Sequence, residues 1–267
     1  MLPAHERRTP HAALRGLVTD YHGYFYDSLP AGVHHGLPST ALTVVVSFDE
    51  PLDVAWQSDP ASRGRHWAMV SGLHAEPALI HHHGAQHGVQ LSLTPLGARV
   101  LLGAPAGALA GELVTLQLPR AYDAMAAAIT WPERFDVLDR LLLGKAASAE
   151  PVQVRGELVH AWRRIRQSDG LVRVADLADE VGWSRRHLTE RFTDEYGIGP
   201  KQAARIERFT NAKALLEAGC PVADVAARCG YADQAHLTRD FRALGGCTPT
   251  QWRREQVTFV QDAAVAG

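Results

Sequence analysis

Residues 175–200 read ADLADEVGWSRRHLTERFTDEYGIGP, and residues 223–249 read ADVAARCGYADQAHLTRDFRALGGCTP. The two stretches align with an offset of 48 residues before the turn and 49 after it, because Ala232 is one extra residue. A duplicated pattern of this length is difficult to obtain by chance. The repeat therefore predicts two copies of one structural unit in the last third of the chain.

Each copy has the parts of a helix-turn-helix. In the first copy a short helix with apolar residues at Leu177 and Ala178 ends at Gly182, which can adopt the left-handed conformation of a sharp turn. Ser184 stands where an N-cap oxygen satisfies the first amides of the next helix. In that helix Leu188 and Phe192 are four residues apart and point inward together. The second copy repeats these roles with Gly230, Asp233, Leu237 and Phe241.

The segment between the copies, from Lys201 to Ala218, is predicted to be one long helix. It lies between Pro200 and Gly219, which mark its two ends. Its apolar residues recur at helical spacing; they are Ile206, Phe209, Ala212, Leu215 and Leu216. A helix of this length joins two recognition helices rigidly, and a spacing of about one DNA turn, roughly 34 Å, would place them in successive major grooves.

At these residues the chain resembles the AraC/XylS family of bacterial transcription regulators. The resemblance runs from Ala178 to Pro249 and covers roughly residues 155–255. The element of the linker helix that carries it reads RFTNAKALL, from Arg208 to Leu216. The repeated Gly-aromatic, Leu, Phe and Gly-x-x-Pro positions make the match specific to this family.

The resemblance implies a set of DNA-contacting residues on the two recognition helices. The base-reading positions fall on Arg186, Thr189 and Glu190 in the first unit and on Gln234, Ala235, Thr238 and Arg239 in the second. Arg185 and Arg242 are expected to contact phosphate. Arginine pairs with guanine and glutamine with adenine, at about 1–3 kcal/mol of discrimination per good pair. Glu190 departs from the pattern, because a carboxylate is repelled by phosphates unless it accepts from cytosine.

The resemblance also implies the function and the partners. The expected protein is a one-component regulator, an activator or a repressor, that binds double-stranded promoter DNA and works with RNA polymerase. Its implied N-terminal domain is cupin-like, takes a small-molecule effector in residues that the sequence does not identify, and forms a homodimer. No cofactor, catalytic residue or metal ligand is assigned.

The N-terminal half has a different pattern. Short β-branched runs bounded by turn residues, such as 42–48, 67–70 and 89–93, predict strands of a sandwich or barrel. Residues 122–143 predict two helices that meet near Pro132, and residues 145–151 predict a linker. The predicted class is α+β, with a cupin-like β-barrel and trailing helices in residues 1–150 and an all-α tandem helix-turn-helix domain in residues 151–267.

Composition bears on the location of the protein, its affinity for nucleic acid and the state of its cysteines. No run of about 18 apolar residues and no signal-peptide pattern is present, so we expect a cytoplasmic protein without a membrane span. Residues 151–267 contain 17 Lys and Arg against 15 Asp and Glu, and 15 of the 17 cations are Arg, which suits bidentate contacts to phosphate and guanine. The three cysteines, Cys220, Cys229 and Cys247, lack a CxxC pair and are expected to be buried, reduced thiols.

Two other functions compete with the regulator. A metal-dependent cupin enzyme would use histidines such as His81, His82, His83 and His87, but alternate strand residues point to opposite faces, so this run does not converge by itself. A DNA-alkyl acceptor would need a reactive cysteine in the N-terminal part, and residues 1–150 contain none. A third alternative is a regulator whose N-terminal domain only dimerises and senses no ligand. For His187 and His236, packing or a hydrogen bond across the motif is favoured over catalysis or a base contact.

Overall fold

The computed structural model describes residues 4–27 and 31–255. Residues 1–3, 28–30 and 256–267, which belong to the two predicted domains, lie outside the described residues. The described residues form two compact units, the first within residues 1–34, 41–72 and 79–153 and the second within residues 35–40, 73–78 and 154–267. The domain boundary near residue 150 stays a prediction.

The described residues of the N-terminal half form ten strands in two sheets. The strands are β1 His5–Arg8, β2 Val18–Tyr26, β3 Gly32–Gly36, β4 Leu42–Ser47, β5 Leu52–Trp56, β6 Gly64–His66, β7 Ala68–Ser71, β8 Ala78–His82, β9 Gln86–Leu93 and β10 Leu113–Thr115. One sheet has the order β1-β2-β9-β4-β7-β10, and the other has the order β3-β8-β5-β6. The three runs predicted as strands correspond to β4, β7 and β9, and these predictions are confirmed.

The predicted barrel is not closed. Among the described residues the two sheets share no hydrogen-bonded ladder, and each sheet ends in an edge strand on both sides. The edges of the larger sheet are short: β1 has four residues and β10 has three. Short edge strands limit the backbone available for further pairing, so the sheets remain separate. The β-rich character of this half and the α+β class are confirmed.

The helices of this half come after β9, with β10 between the second and the third of them. They are α1 Pro95–Gly97, α2 Ala106–Leu109, α3 Pro119–Ala127 and α4 Trp131–Ser148. The two predicted helices meeting near Pro132 are confirmed as α3 and α4. The predicted linker from residue 145 is wrong at its start, because α4 continues to Ser148; Lys145 in its last turn is a cation at the negative end of the helix dipole.

Helix α4 covers one side of the larger sheet. Gly23 of β2 lies against the ring of Trp131 so closely that a side chain at this position would collide with the ring. On the same side, Tyr21 donates a hydrogen bond to Asp139 at 2.9 Å and stacks on Phe135 at 5.7 Å between ring centroids. Every second residue of β2 therefore faces α4, and the residues between them face away from it.

The second unit is helical. Its helices are α5 Gly156–Gln167, α6 Val174–Glu180, α7 Arg185–Tyr196, α8 Pro200–Glu217, α9 Val222–Arg228, α10 Gln234–Gly245 and α11 Pro249–Glu255. The predicted linker helix is α8, and its residues Ile206, Phe209 and Ala212 are at most 1% exposed. Around α8 the aromatic rings of Phe209 and Phe241 meet edge to face at 4.8 Å. The all-α character of this region is confirmed.

Two short segments from earlier in the chain complete the second unit. In the segment of residues 35–40, Thr40 donates a hydrogen bond to a carboxylate oxygen of Glu207 on α8 at 2.7 Å. Both residues are buried, and burial raises the pKa of the Glu207 carboxyl. Thr40 thus donates a hydrogen bond to a carboxyl group that lies in the interior of this unit.

Within the part of the chain that the structure describes, none of the helices has both the length and the apolarity that a membrane span requires.

Candidate nucleic-acid interface

The two helix-turn-helix turns have the same backbone geometry. Gly182 after α6 and Gly230 after α9 both have φ of 69°, in the left-handed region that favours glycine. At Gly230 a side chain would also collide with Leu171. The sequence prediction of a left-handed glycine at each turn is confirmed.

The predicted N-caps are confirmed at both recognition helices. The Ser184 hydroxyl accepts a hydrogen bond from the backbone N–H of His187 at 3.2 Å, and Asp233 accepts from the N–H of His236 at 2.6 Å. Both capping residues have extended backbones, as an N-cap requires. Each cap therefore fixes the first turn of a helix whose exposed side chains are the candidates for base contact.

The inward faces of α7 and α10 are also equivalent. Leu188 and Phe192 on α7, and Leu237 and Phe241 on α10, have no exposed surface. His187 meets Trp183 edge to face at 4.7 Å, and His236 meets Tyr231 in the same way at 5.1 Å. The packing role predicted for the two histidines is confirmed. Because one face of α7 and one face of α10 are buried in the domain, the opposite face of each helix points outward.

The residues that the family resemblance assigned to DNA lie on these outward faces. Eight of the nine are exposed and Thr238 is half-buried; the eight are Arg185, Arg186, Thr189, Glu190, Gln234, Ala235, Arg239 and Arg242. The structure thus brings four of them together on α7 and five on α10. Their contacts with DNA stay a prediction.

Two threonines at equivalent positions are bonded back to their own helices. Thr189 donates to the carbonyl of Arg185 at 2.8 Å, and Thr238 donates to the carbonyl of Gln234 at 2.7 Å. Because each hydroxyl proton is donated within the helix, each side chain offers DNA only the two acceptor lone pairs of its oxygen and its methyl group.

An ion pair within α7 joins two of the predicted base-reading residues. Arg186 donates to Glu190 at 2.8 Å, with 88% and 56% of the two side chains exposed. The carboxylate raises the pKa of Arg186, and the guanidinium lowers the pKa of Glu190. Sequence reasoning placed both residues on the outward face but missed the pairing, although their spacing of four residues is a known signal for it.

A second ion pair, which sequence reasoning also missed, joins α10 to the linker helix. Arg205 on α8 donates to Asp240 at 2.9 Å, and only 9% of the Asp240 side chain is exposed. The two residues are separated by 35 positions, so no local pattern predicts the contact. The ion pair neutralises the negative charge of Asp240 on the buried side of α10, so that this charge does not face the exposed arginines of the same helix.

The cations of the outward face differ between the two helices. Within the described residues, Arg185, Arg239 and Arg242 make no ion pair, whereas Arg186 is paired. On α10 the acidic residue is buried and paired elsewhere, so the exposed charge of that helix is positive. On α7 the arginines share the surface with Glu190, Asp194 and Glu195.

Other candidate chemistry in the described residues is sparse. No group of three or more His, Cys, Asp or Glu is placed to hold a metal ion there. The three cysteines are free; Cys229 and Cys247 are buried, Cys220 is half-buried, and burial raises the pKa of the Cys229 thiol to about 11.

Comparison with known protein families decides the nature of the helical unit. Residues 177–255 match a family described as a helix-turn-helix domain, and this is the segment that contains both turns and both recognition helices. The C-terminal region is an AraC-type helix-turn-helix domain. The matched segment covers less than a third of the chain.

Two curated HTH-type transcriptional regulators match part of this chain. The uncharacterized HTH-type transcriptional regulator YbfI of Bacillus subtilis is 39% identical over 66 residues, which are 25% of this chain and 24% of that protein. An HTH-type transcriptional regulator of Mycobacterium tuberculosis is 33% identical over 89 residues, 33% of this chain and 34% of that protein. The matches therefore span about a quarter to a third of these relatives.

Solved structures show a shared fold beyond the AraC-type domain. ToxT from Vibrio cholerae matches with a TM-score of 0.57 at 10% identity, over 96% of this chain and 100% of that chain. A ToxT structure with a bound unsaturated fatty acid matches with a TM-score of 0.55 at 12% identity, over 92% and 96% of the two chains. At these identities the likeness concerns the fold alone.

Proposed function

We propose that the protein is a sequence-specific transcription regulator that binds double-stranded DNA through α7 and α10. The observation that carries the proposal is the duplicated outward face: two helices with equal caps and equal buried anchors expose arginine, glutamine and threonine side chains. Arginine and glutamine are the side chains that read guanine and adenine in the major groove.

The outward faces of α7 and α10 are proposed to make different kinds of contact with DNA. The unpaired Arg239 and Arg242 of α10 supply attraction to phosphate and a guanine contact, while α7 reads bases through Arg186 and Glu190 as a pair. We further propose that residues 1–150 respond to a small-molecule effector or form a dimer, and that the bound regulator acts on RNA polymerase at a promoter in the cytoplasm. Coupling between effector and DNA of this kind is typically 1–3 kcal/mol.

Footprinting and gel-shift titrations with genomic fragments test the proposal. We expect a protected site whose affinity falls steeply as salt rises, because phosphate contacts release counterions. Arg186→Ala and Arg239→Ala are expected to relax base preference at two separate positions about one helical turn apart, at roughly 1–3 kcal/mol each.

Arg140→Ala provides the matched control, because Arg140 is an exposed arginine on α4, outside the AraC-type domain. It should leave the footprint unchanged. Salt-independent binding, or a loss of preference at the same base pair in both recognition-helix variants, would contradict the proposed arrangement of the two helices.

A further inference from the structure

Residues 35–40, here called the connector, lead from the end of β3 to β4 and belong to the helical unit. The last three of them, Pro38, Ser39 and Thr40, are buried. Loops normally run over the surface, because the backbone groups of a buried loop need hydrogen-bond partners. The buried course of the connector therefore indicates a specific role within the helical unit.

A hydrogen bond fixes the connector to α8. The Thr40 hydroxyl donates to a carboxylate oxygen of Glu207 at 2.7 Å, and both residues are buried. Loss of this donor would leave a buried acceptor unsatisfied, which costs more free energy than the hydrogen bond itself contributes. Pro38 restricts the backbone as well, since its ring fixes φ at about −65°. The connector therefore has a defined conformation against α8.

The connector also reaches the C-terminal end of the second recognition helix. Gly245 is the last residue of α10 and is buried. A side-chain carbon at this position would lie 3.3 Å from the ring of Phe209 on α8 and 3.7 Å from a methyl group of Leu37. Because glycine has no side chain, the backbone of α10 lies close to both residues. The end of α10 thus packs against both α8 and the connector.

The first recognition helix ends differently. The repeat aligns Gly245 with Tyr196, the last residue of α7. The Tyr196 ring contacts the ring of Trp162 on α5, at 4.4 Å between centroids. This partner lies within residues 151–267, so the end of α7 is anchored inside the predicted DNA-binding domain. At the equivalent end of α10, the neighbour Leu37 comes from outside that range.

The orientation of α10 decides whether its base-reading residues reach DNA. Gln234 precedes Gly245 by eleven residues. This is roughly 16 Å along a helix that rises about 1.5 Å per residue. A tilt of about 10° at Gly245 would therefore move Gln234 by roughly 3 Å in a rigid helix. Hydrogen bonds to base edges need donor–acceptor distances of about 2.7–3.2 Å, so a displacement of this size breaks them.

We propose that Leu37 and Thr40 are positioning residues for the second recognition helix. Thr40 fixes the connector to α8, and Leu37 contacts the end of α10, so that the outward face of α10 keeps the angle at which it meets the major groove. This assignment rests on the proposed binding of DNA by α7 and α10. It means that residues 151–267 do not contain every contact that orients α10, although they contain the ring contact that anchors the end of α7.

Gel-shift titrations of the full chain with three DNA fragments test the proposal. One fragment carries the intact site, and each of the other two has a scrambled half-site, either that of α7 or that of α10. Footprints of Arg186→Ala and Arg239→Ala assign the half-sites. We expect Leu37→Ala and Thr40→Val to bind the intact site at least about five-fold more weakly, which is the value of one base contact. This loss should persist without the α7 half-site and disappear without the α10 half-site.

Two matched controls separate positioning from a general loss of stability. Val33→Ala changes an exposed residue of β3, and Thr40→Ser keeps the hydroxyl donor. Both variants should bind all three fragments like the wild type. Equal losses of Leu37→Ala on the two scrambled fragments would indicate general destabilisation and overturn the proposal. Wild-type affinity of Leu37→Ala and Thr40→Val for the intact site would overturn it as well.

Amide hydrogen exchange measures the same effect without DNA. Leu37→Ala should speed exchange in the last turn of α10, residues 242–245, and leave exchange in α7 unchanged, because local opening depends on local packing. Unchanged exchange in α10, or an equal increase in both helices, would overturn the proposal. A wild-type chain that binds no DNA fragment would contradict the regulator instead, since the exchange result does not depend on DNA.

Discussion

At the scale of single residues, two buried carboxyl groups have opposite electrostatic surroundings. Asp53 on β5 accepts two hydrogen bonds from Arg63, both at 2.8 Å, and these hold the pKa of Asp53 at about 2. Glu207 on α8 has its pKa raised by burial, and its hydrogen bond from Thr40 offsets this only in part. The folded state therefore favours the ionised form of Asp53 and the neutral form of Glu207, relative to the unfolded chain.

Asp53 should make stability depend on pH in the acid range. Its pKa is lowered on folding, so its contribution is fully present above the ordinary pKa of 3.8 and is lost as the pH falls towards about 2. Arg63→Met is expected to lower the urea midpoint at pH 7 and to have a smaller effect near pH 2.5. Arg65→Met, at an exposed neighbouring arginine, serves as the control. An equal loss at both pH values would contradict the assignment of the ion pair.

Glu207 gives the opposite dependence of stability on pH. Its pKa is raised on folding, so the folded state is favoured at acid pH, and this advantage is lost as the pH rises through the folded pKa. Glu207→Gln keeps an acceptor for Thr40 and removes the charge. We expect the variant to melt at a higher temperature than the wild type at pH 7 and at nearly the same temperature at pH 4. A less stable variant at pH 7 would show that the ionised carboxylate is favourable in this unit.

At the scale of secondary-structure elements, side chains satisfy the backbone groups that lack partners at the helix ends. Arg134 on α4 is 4% exposed; it donates to the carbonyl of Met125 at 3.1 Å and to that of Ala128 at 3.0 Å. It thereby satisfies the C-terminal end of α3, where helix carbonyls lack partners. The guanidinium also lies over the rings of Phe48 and Trp131, at 4.7 and 4.8 Å.

Replacing Arg134 tests this role. Arg134→Met keeps much of the apolar packing and removes both donors, and a buried acceptor left unsatisfied costs about 1–3 kcal/mol. We expect urea unfolding to show a loss in this range. Arg120→Met, at an exposed arginine in the first turn of α3, is the control and should unfold like the wild type. A loss of similar size in the control would indicate a general effect of charge.

The recognition-helix caps give a second prediction at this scale. Ser184→Ala and Asp233→Ala each remove the acceptor of an N-cap hydrogen bond and should cost about 1 kcal/mol of stability. Denaturant titration measures this loss, and Thr193→Ala, at an exposed position within α7, should be neutral. Equal stability of all three variants would mean that the observed cap geometry contributes nothing.

The elements of the AraC-type domain were predictable because their signals are local. A left-handed glycine, a cap residue and anchors four positions apart follow one another within about fifteen residues in each copy. The packing of residues 35–40 on α8 was not predictable, since its hydrogen bond joins residues 167 positions apart. The Asp240–Arg205 ion pair and the open edges of the sheets depend equally on tertiary contacts. The exposed faces of α7 and α10 were predicted from periodicity, but the ion pair between Arg186 and Glu190 on α7 was not.

At the scale of the whole molecule, charge is distributed unevenly. The chain has a net charge of −2, yet residues 151–267 hold two more cations than anions. Phosphate attraction must therefore come from the local surface of the recognition helices, because the net charge opposes it. We expect the removal of the two predicted phosphate-contacting residues, Arg185 and Arg242, to reduce the salt dependence of DNA binding by roughly two phosphate contacts. Gel shifts between low and moderate salt measure the slope, and an unchanged slope would place the phosphate contacts elsewhere.

The second unit is assembled from separate pieces of sequence, since residues 35–40 and 73–78 belong to it. Exchange of modules between related genes by a single crossover near residue 150 would therefore divide that unit. The hybrid would inherit Glu207 from one parent and the residue at position 40 from the other, and a mismatch would leave a buried carboxyl group without its hydroxyl donor. Recombination in this lineage should retain Thr40 and Glu207 jointly or replace them jointly.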